Sequence, residues 1–180
     1  MHSILKKLSG GTRRSLGQTN EIVVEVLNNP RVFPQLVAAL TSDDEVLRMR
    51  AADAIEKITT RRPDLLRPYK RKLLAIAGST NQQEIRWHAA LIIPRLQFTP
   101  KERAAALDIL FDYLRDKSSI VKTWATQAIW DLAAPDAKLK AQIIPLVEEL
   151  TQVGTPSMRA RGRNLLRQRN VAARHLKSIP

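Results

Sequence analysis

A pattern of small and aliphatic residues recurs four times along the chain at nearly constant intervals. The copies start at Leu47, Ile85, Val121 and Met158, at intervals of 38, 36 and 37 residues. The fourth residue after each start is small, and the seventh and eighth are small or aliphatic. At about 100° per residue these positions share one helical face, so each copy is predicted to be a helix with one buried face. The small residues are Ala51, Ala89, Ala125 and Gly162.

Each copy follows a second apolar segment with helical spacing, and a polar break separates the two. These preceding segments span residues 32–40, 65–77, 103–114 and 141–150. No segment alternates polar and apolar residues with the period of two that a half-buried strand requires. The fold class is therefore predicted to be all-α, built from helix–turn–helix units that bury their apolar faces by stacking.

The period, the small residues and a proline in the first helix of three copies together resemble the HEAT repeat, which is related to armadillo-like repeats. The resemblance covers about residues 31–170, and the prolines are Pro34, Pro68 and Pro145. It implies a right-handed α-solenoid of about four HEAT-like helical hairpins that serves as a non-enzymatic binding scaffold. Pro94, in the second helix of the second hairpin, departs from the pattern and predicts a kink there.

Composition and local patterns predict how the chain is organised. We expect a basic flexible N-terminal tail over 1–18, a single HEAT-repeat domain over 19–175 and a C-terminal tail over 176–180. No apolar run approaches the roughly 20 residues of a membrane span, and we expect a cytoplasmic protein. The chain has no Cys, and its three histidines lack metal-ligand spacing, so neither a metal nor another cofactor is expected.

The residues opposite the buried face of the second helices predict a partner-binding surface. In a HEAT-like stack these helices line the concave side, and there we expect Met49, Trp87, Leu91 and Trp130 to contact a protein partner. An exposed apolar patch of this kind usually marks a binding site. The alternative is that the tryptophans pack against neighbouring repeats.

Basic residues are concentrated at the two ends of the chain, whose net charge is +13. Residues 155–180 contain seven basic residues and no acidic residue. We predict that five arginines there bind an acidic protein surface or a phosphate backbone: Arg159, Arg163, Arg167, Arg169 and Arg174. A second basic cluster, over residues 57–72, has seven basic residues and one acidic residue.

A basic residue also follows the start of every copy. In HEAT repeats such a residue commonly has a structural role, so we expect these four to pair with acidic side chains or turn carbonyl groups. They are Arg48, Arg86, Lys122 and Arg159.

Nucleic-acid binding is the alternative function. Bacterial alkylpurine DNA glycosylases are built on HEAT-like repeats, with a basic concave face, tryptophans and an essential aspartate. This chain is similar in residue types, with Trp87, Trp124, Trp130 and Asp131, but it has no aligned motif. We therefore expect a protein without enzymatic activity.

Overall fold

The computed structural model describes residues 3–10, 15 and 17–177, with side chains from Ile4 to Gln168. Within this part of the chain every regular element is a helix, which confirms the all-α prediction. The α-helices are α1 (Ser3–Leu8), α2 (Thr19–Asn28), α3 (Phe33–Ala39), α4 (Glu45–Arg61), α5 (Lys70–Ser79), α6 (Gln83–Ile92), α7 (Pro100–Tyr113), α8 (Ser119–Leu132), α9 (Ala137–Val153) and α10 (Pro156–Lys177). Short 3-10 helices span Pro30–Val32, Pro63–Tyr69 and Ile93–Arg95.

The chain forms two compact units, although the sequence predicts a single repeat domain over 19–175. Unit 1 extends to Thr99 and unit 2 begins at Pro100. In unit 1, α4 packs against α1, α2, α3 and α6. In unit 2, α8 packs against α7, α9 and α10, and α10 packs against α9. In each unit one helix of the repeat pattern is therefore surrounded by its neighbours.

The small residues of the repeat lie where helices approach closely, as predicted. Ala51 and Ala125 are fully buried. Gly162 of α10 is buried against α9, and a Cβ atom placed there would lie 2.7 Å from Cγ2 of Thr151. Interiors are close-packed, so a larger side chain at this position would force the two helices apart.

The predicted N-terminal tail over 1–18 is partly wrong, because residues 3–8 form α1. Ile4 and Leu8 are one helical turn apart and are 2% and 0% exposed, which places them in the core of unit 1. A short helix gains its stability from such packing and not from its own hydrogen bonds. The buried Arg50 of α4 also binds carbonyl oxygens that follow α1.

Two of the predicted basic pairing residues bind turn carbonyl groups in unit 1. The Arg48 guanidinium donates to the carbonyl oxygen of Ser42 at 2.6 Å and to Gln82 Oε1 at 2.8 Å. Arg86 Nε donates to the carbonyl oxygen of Thr80 at 2.8 Å. These arginines satisfy backbone acceptors that the turns would otherwise leave unpaired, which explains a basic residue at this position.

Local signals set the helix ends in two further places. α6 ends at Ile92 and a 3-10 turn continues through Pro94, as expected where a proline removes an N–H donor. The side chain of Ser118 accepts a hydrogen bond from the Val121 N–H and caps α8.

Candidate functional site

The last helix carries the strongest concentration of charge in the described chain. From Pro156 to Lys177, α10 contains seven basic residues and no acidic residue. Arg163 and Arg167 are exposed and Arg159 is half-buried. Because these three residues are four apart, they share one face of α10. The side chains of Arg169 and Arg174 lie outside the described residues, although the helix backbone includes both positions.

The exposed arginines of α10 have no counter-charge within the described part of unit 2. Neither Arg163 nor Arg167 makes a hydrogen bond or an ion pair there. Like charges at this spacing repel one another and destabilise an isolated helix by a few tenths of a kcal/mol per pair, about 0.2–0.5. An anionic partner would remove this repulsion.

A cleft of about 340 Å³ lies beside this helix, between α8 and α10. Ile120, Thr123 and Trp124 of α8 form one wall, and residues of α10 from Ser157 to Asn164 form the other. Ile120 is 46% exposed at this cleft, an unusual position for a large aliphatic side chain. The cleft therefore combines apolar surface with adjacent positive charge.

Arg161 connects α10 to a polar row on α8. Its guanidinium lies 4.3 Å from the Trp124 ring centre, within cation–π range, and its Nη1 donates to Gln127 Oε1 at 3.2 Å. Gln127 Nε2 in turn donates to Asp131 Oδ1 at 2.8 Å. Desolvation of the carboxyl group raises the pKa of Asp131, against the opposing hydrogen bond from Gln127 and the nearby charges of Lys140 and Arg161.

The predicted exposure of Trp130 is wrong. Its side chain is 4% exposed because α8 is packed against α7, α9 and α10. The ammonium group of Lys140, on α9, lies 3.4 Å from the centre of its ring and donates to its carbonyl oxygen at 2.8 Å. Burial lowers the pKa of Lys140 to about 8, against the opposing charge of Asp131. Trp130 therefore belongs to the interior of unit 2, as the packing alternative proposed.

The predicted exposure of Met49 is also wrong, since it is only 5% exposed. Helix α4 is in contact with four other α-helices, so the side opposite its repeat face is covered too. Trp87 and Leu91 are half-buried on α6 of unit 1, and Trp87 lies 5.4 Å from the His88 ring. Trp87 and Leu91 thus keep accessible surface, and their role in partner binding stays a prediction.

A buried polar cluster in unit 1 was not predicted from the sequence. His88 and Glu84, one turn apart on α6, are 7% and 6% exposed. In the described residues, His88 Nδ1 and Glu84 Oε2 have no hydrogen-bond partner. Burial lowers the pKa of His88 to about 4, with Glu56 and Glu84 opposing the shift and Lys57 adding to it. Neutral His88 is therefore the form that the fold accommodates.

Unit 1 is expected to lose stability in acid because of His88. An unfolded histidine has a pKa of about 6.5, so the unfolded state binds more protons than the folded state down to about pH 4. Stability should fall by about 3 kcal/mol as the pH drops from about 6.5 to about 4. Hydrogen exchange of the α6 amides across this range measures the loss. His88→Gln should remove this component and His175→Gln should keep it; parallel pH profiles for the wild type and His88→Gln would contradict the assignment.

The described residues contain no group of three or more side chains placed to hold a metal ion. None of the described helices is both long and apolar enough to cross a membrane. In comparisons with known proteins, no family model, no curated protein and no solved structure matches the chain. The function is therefore argued from the geometry of the two units.

Proposed function

We propose that the chain is a non-enzymatic, cytoplasmic HEAT-type binding scaffold whose unit 2 holds an acidic segment of a partner protein. The pairs α3/α4, α5/α6, α7/α8 and α9/α10 fit four HEAT-like hairpins, and a right-handed solenoid is part of the proposal. The binding surface consists of the α8–α10 cleft and the exposed arginines beside it, here called the arginine cleft: Ile120, Trp124, Arg161, Arg163 and Arg167.

The observation that carries this proposal is the unpaired state of Arg163 and Arg167 among the described residues. An arginine guanidinium offers several donors in a planar arrangement that matches a carboxylate. Two such groups on one helix face can therefore bind successive acidic side chains. This contact also relieves their mutual repulsion, which favours a bound over a free state.

The apolar part of the cleft favours a protein over a nucleic acid. Protein interfaces combine an apolar core with a polar rim, and their most important contacts are enriched in Trp and Arg. Ile120 and Trp124 supply such a core, while Arg163 and Arg167 supply charge next to it. A phosphate backbone has no apolar group to fill this space. The expected ligand is an acidic segment with a large apolar side chain.

Nucleic-acid binding remains the second candidate, because α10 is entirely free of acidic residues. Phosphate contacts release counterions, so the logarithm of affinity falls with that of salt by about 0.9 per duplex phosphate contact. An interface with an apolar core should show a weaker dependence. The DNA glycosylase hypothesis would follow only from duplex binding, and it would assign chemistry to Asp131.

Anisotropy with labelled ligands tests the proposal. The probes are a peptide of alternating Glu and Leu, a matched peptide of Gln and Leu, and duplex DNA, each at about 50–200 mM salt. We expect the Glu–Leu peptide to bind most tightly and with the smaller salt dependence. Arg163→Glu with Arg167→Glu should weaken its binding by about tenfold or more, because two ion pairs of up to about 1 kcal/mol each are replaced by repulsion.

A matched charge reversal away from the cleft controls for net charge. Arg115 and Lys117 are exposed in unit 2 outside the arginine cleft. Arg115→Glu with Lys117→Glu changes the charge by the same amount and should affect peptide binding little. Equal weakening by the two double variants would reject a defined site. Steeply salt-dependent binding of duplex DNA without peptide binding would establish the nucleic-acid function and call for a base-excision assay.

A further inference from the structure

A second, separate cavity lies in unit 1. It has a volume of about 600 Å³ and is lined by the 3-10 helix Pro63–Tyr69 and the segment from Arg95 to Gln97. This volume lies within the range of pockets that hold small molecules, about 300–1,000 Å³. The cavity coincides with the second basic cluster of the sequence, to which the partner-binding proposal gives no role.

Aliphatic side chains form the inner surface of this pocket. Leu66 is 0% exposed and Leu96 is 7% exposed, so both are held firmly in the core of unit 1. Small-molecule sites typically have such apolar walls and a few well-placed polar groups. The inner surface would suit the apolar body of a ligand.

The charges of two lining residues are already compensated. Arg95 Nη2 pairs with Glu56 Oε1 at 2.5 Å, and its Nη1 donates to Thr59 Oγ1 at 2.8 Å. Asp64 accepts from Arg62 through both carboxylate oxygens, at 2.9 and 2.7 Å. Neither the Arg95 cation nor the Asp64 anion therefore determines the charge that the pocket presents.

Two further cations line the same pocket. Arg67 is exposed and makes no hydrogen bond or ion pair within the described residues. Lys70 Nζ donates to the carbonyl oxygen of Gln97 at 3.1 Å and lies 5.9 Å from the Phe98 ring centre. An ammonium group has three donors, so this contact leaves donor capacity for a ligand. The pocket thus presents positive charge at the edge of an aliphatic surface.

We propose that this pocket binds a small organic anion. Its phosphate or carboxylate group would bind Arg67 and Lys70, and its apolar body would lie on Leu66 and Leu96. The pocket belongs to unit 1, whereas the arginine cleft belongs to unit 2, so this inference does not depend on the proposed partner binding.

Titration calorimetry of the full chain with phenyl phosphate and benzoate tests the inference, with inorganic phosphate and benzyl alcohol as comparison ligands. We expect phenyl phosphate or benzoate to bind at one site per chain and more tightly than either comparison ligand. Amide NMR signals of residues 63–70 and 95–97 should shift on binding. Arg67→Glu should weaken binding by about tenfold or more, since a hydrogen bond to a charged group contributes about 1.5–3 kcal/mol.

Two variants complete this experiment. Arg71 is exposed on α5 and does not line the pocket, so Arg71→Glu is the matched charge control and should retain nearly wild-type affinity. Gln97 is an exposed lining residue, and Gln97→Trp should block the pocket without changing its charge or the core. The inference is overturned if neither anion binds, if inorganic phosphate binds as tightly as phenyl phosphate, or if Arg71→Glu weakens binding as much as Arg67→Glu.

Discussion

Replacing Arg50 by alanine is expected to release α1 and to lower the free energy of unfolding of unit 1 by about 3 kcal/mol or more. The Arg50 side chain is part of a residue only 2% exposed. Its guanidinium donates to the carbonyl oxygens of Leu8 at 2.7 Å, Gly10 at 2.6 Å and Ser15 at 3.0 Å. Without it, these acceptors lose a charged donor and α4 gains a cavity beside α1. Buried acceptors without partners carry the full cost of their desolvation.

Hydrogen exchange and urea denaturation measure this effect. The amides of α1 should lose protection first, because a six-residue helix is not stable without its packing contacts. Arg31→Ala is the matched control, since Arg31 is an exposed arginine in the same unit and its loss should cost little. A stability change equal to that of Arg31→Ala, with α1 still protected, would show that Arg50 does not hold the N-terminal segment.

Replacing Trp130 by alanine is expected to destabilise unit 2 by about 3–5 kcal/mol, the usual cost of removing a buried Trp or Phe side chain. The ring is covered by Lys140, whose ammonium group lies 3.4 Å from its centre, and the surrounding helices leave it 4% exposed. Truncation removes the apolar contacts and the cation–π interaction and leaves a cavity between α8 and α9.

Trp124→Ala separates this core effect from a surface effect. Trp124 lies on the same helix but is half-buried in the arginine cleft, so its loss should cost less stability. It should instead weaken binding of the Glu–Leu peptide. Chemical denaturation monitored by circular dichroism gives both stabilities. If Trp130→Ala were as stable as the wild type, the ring would not be part of the core of unit 2.

The helices themselves could be predicted from the sequence because their signals are local. The recurrence of Leu47, Ile85, Val121 and Met158 identifies the second helix of each pair, and all four residues are buried. The break at Pro94 and the cap at Ser118 depend only on the backbone chemistry of neighbouring residues. Helix α1 was missed because two apolar residues, Ile4 and Leu8, provide too little periodicity to distinguish a packed helix from a tail.

The binding residues were predictable only in part. Arg159, Arg163 and Arg167 share a helix face whatever surrounds α10, so their alignment follows from spacing alone. The exposure of Met49 and Trp130 does not follow from spacing, because a helical projection defines directions around one axis and not the helices that occupy them. α4 and α8 each contact several helices, and their apparent outer faces are therefore closed.

By itself, the sequence of this protein determined the all-α class, the positions of most helices and the acid-free arginine face of α10, since each depends on residues within one or two turns. Tertiary structure decided which of those faces is open. Arg50 acquired its backbone partners, Trp130 its covering lysine, and the two cavities their walls only when segments distant in sequence packed together. Burial is a property of the neighbours that reach a side chain, and no local pattern contains them.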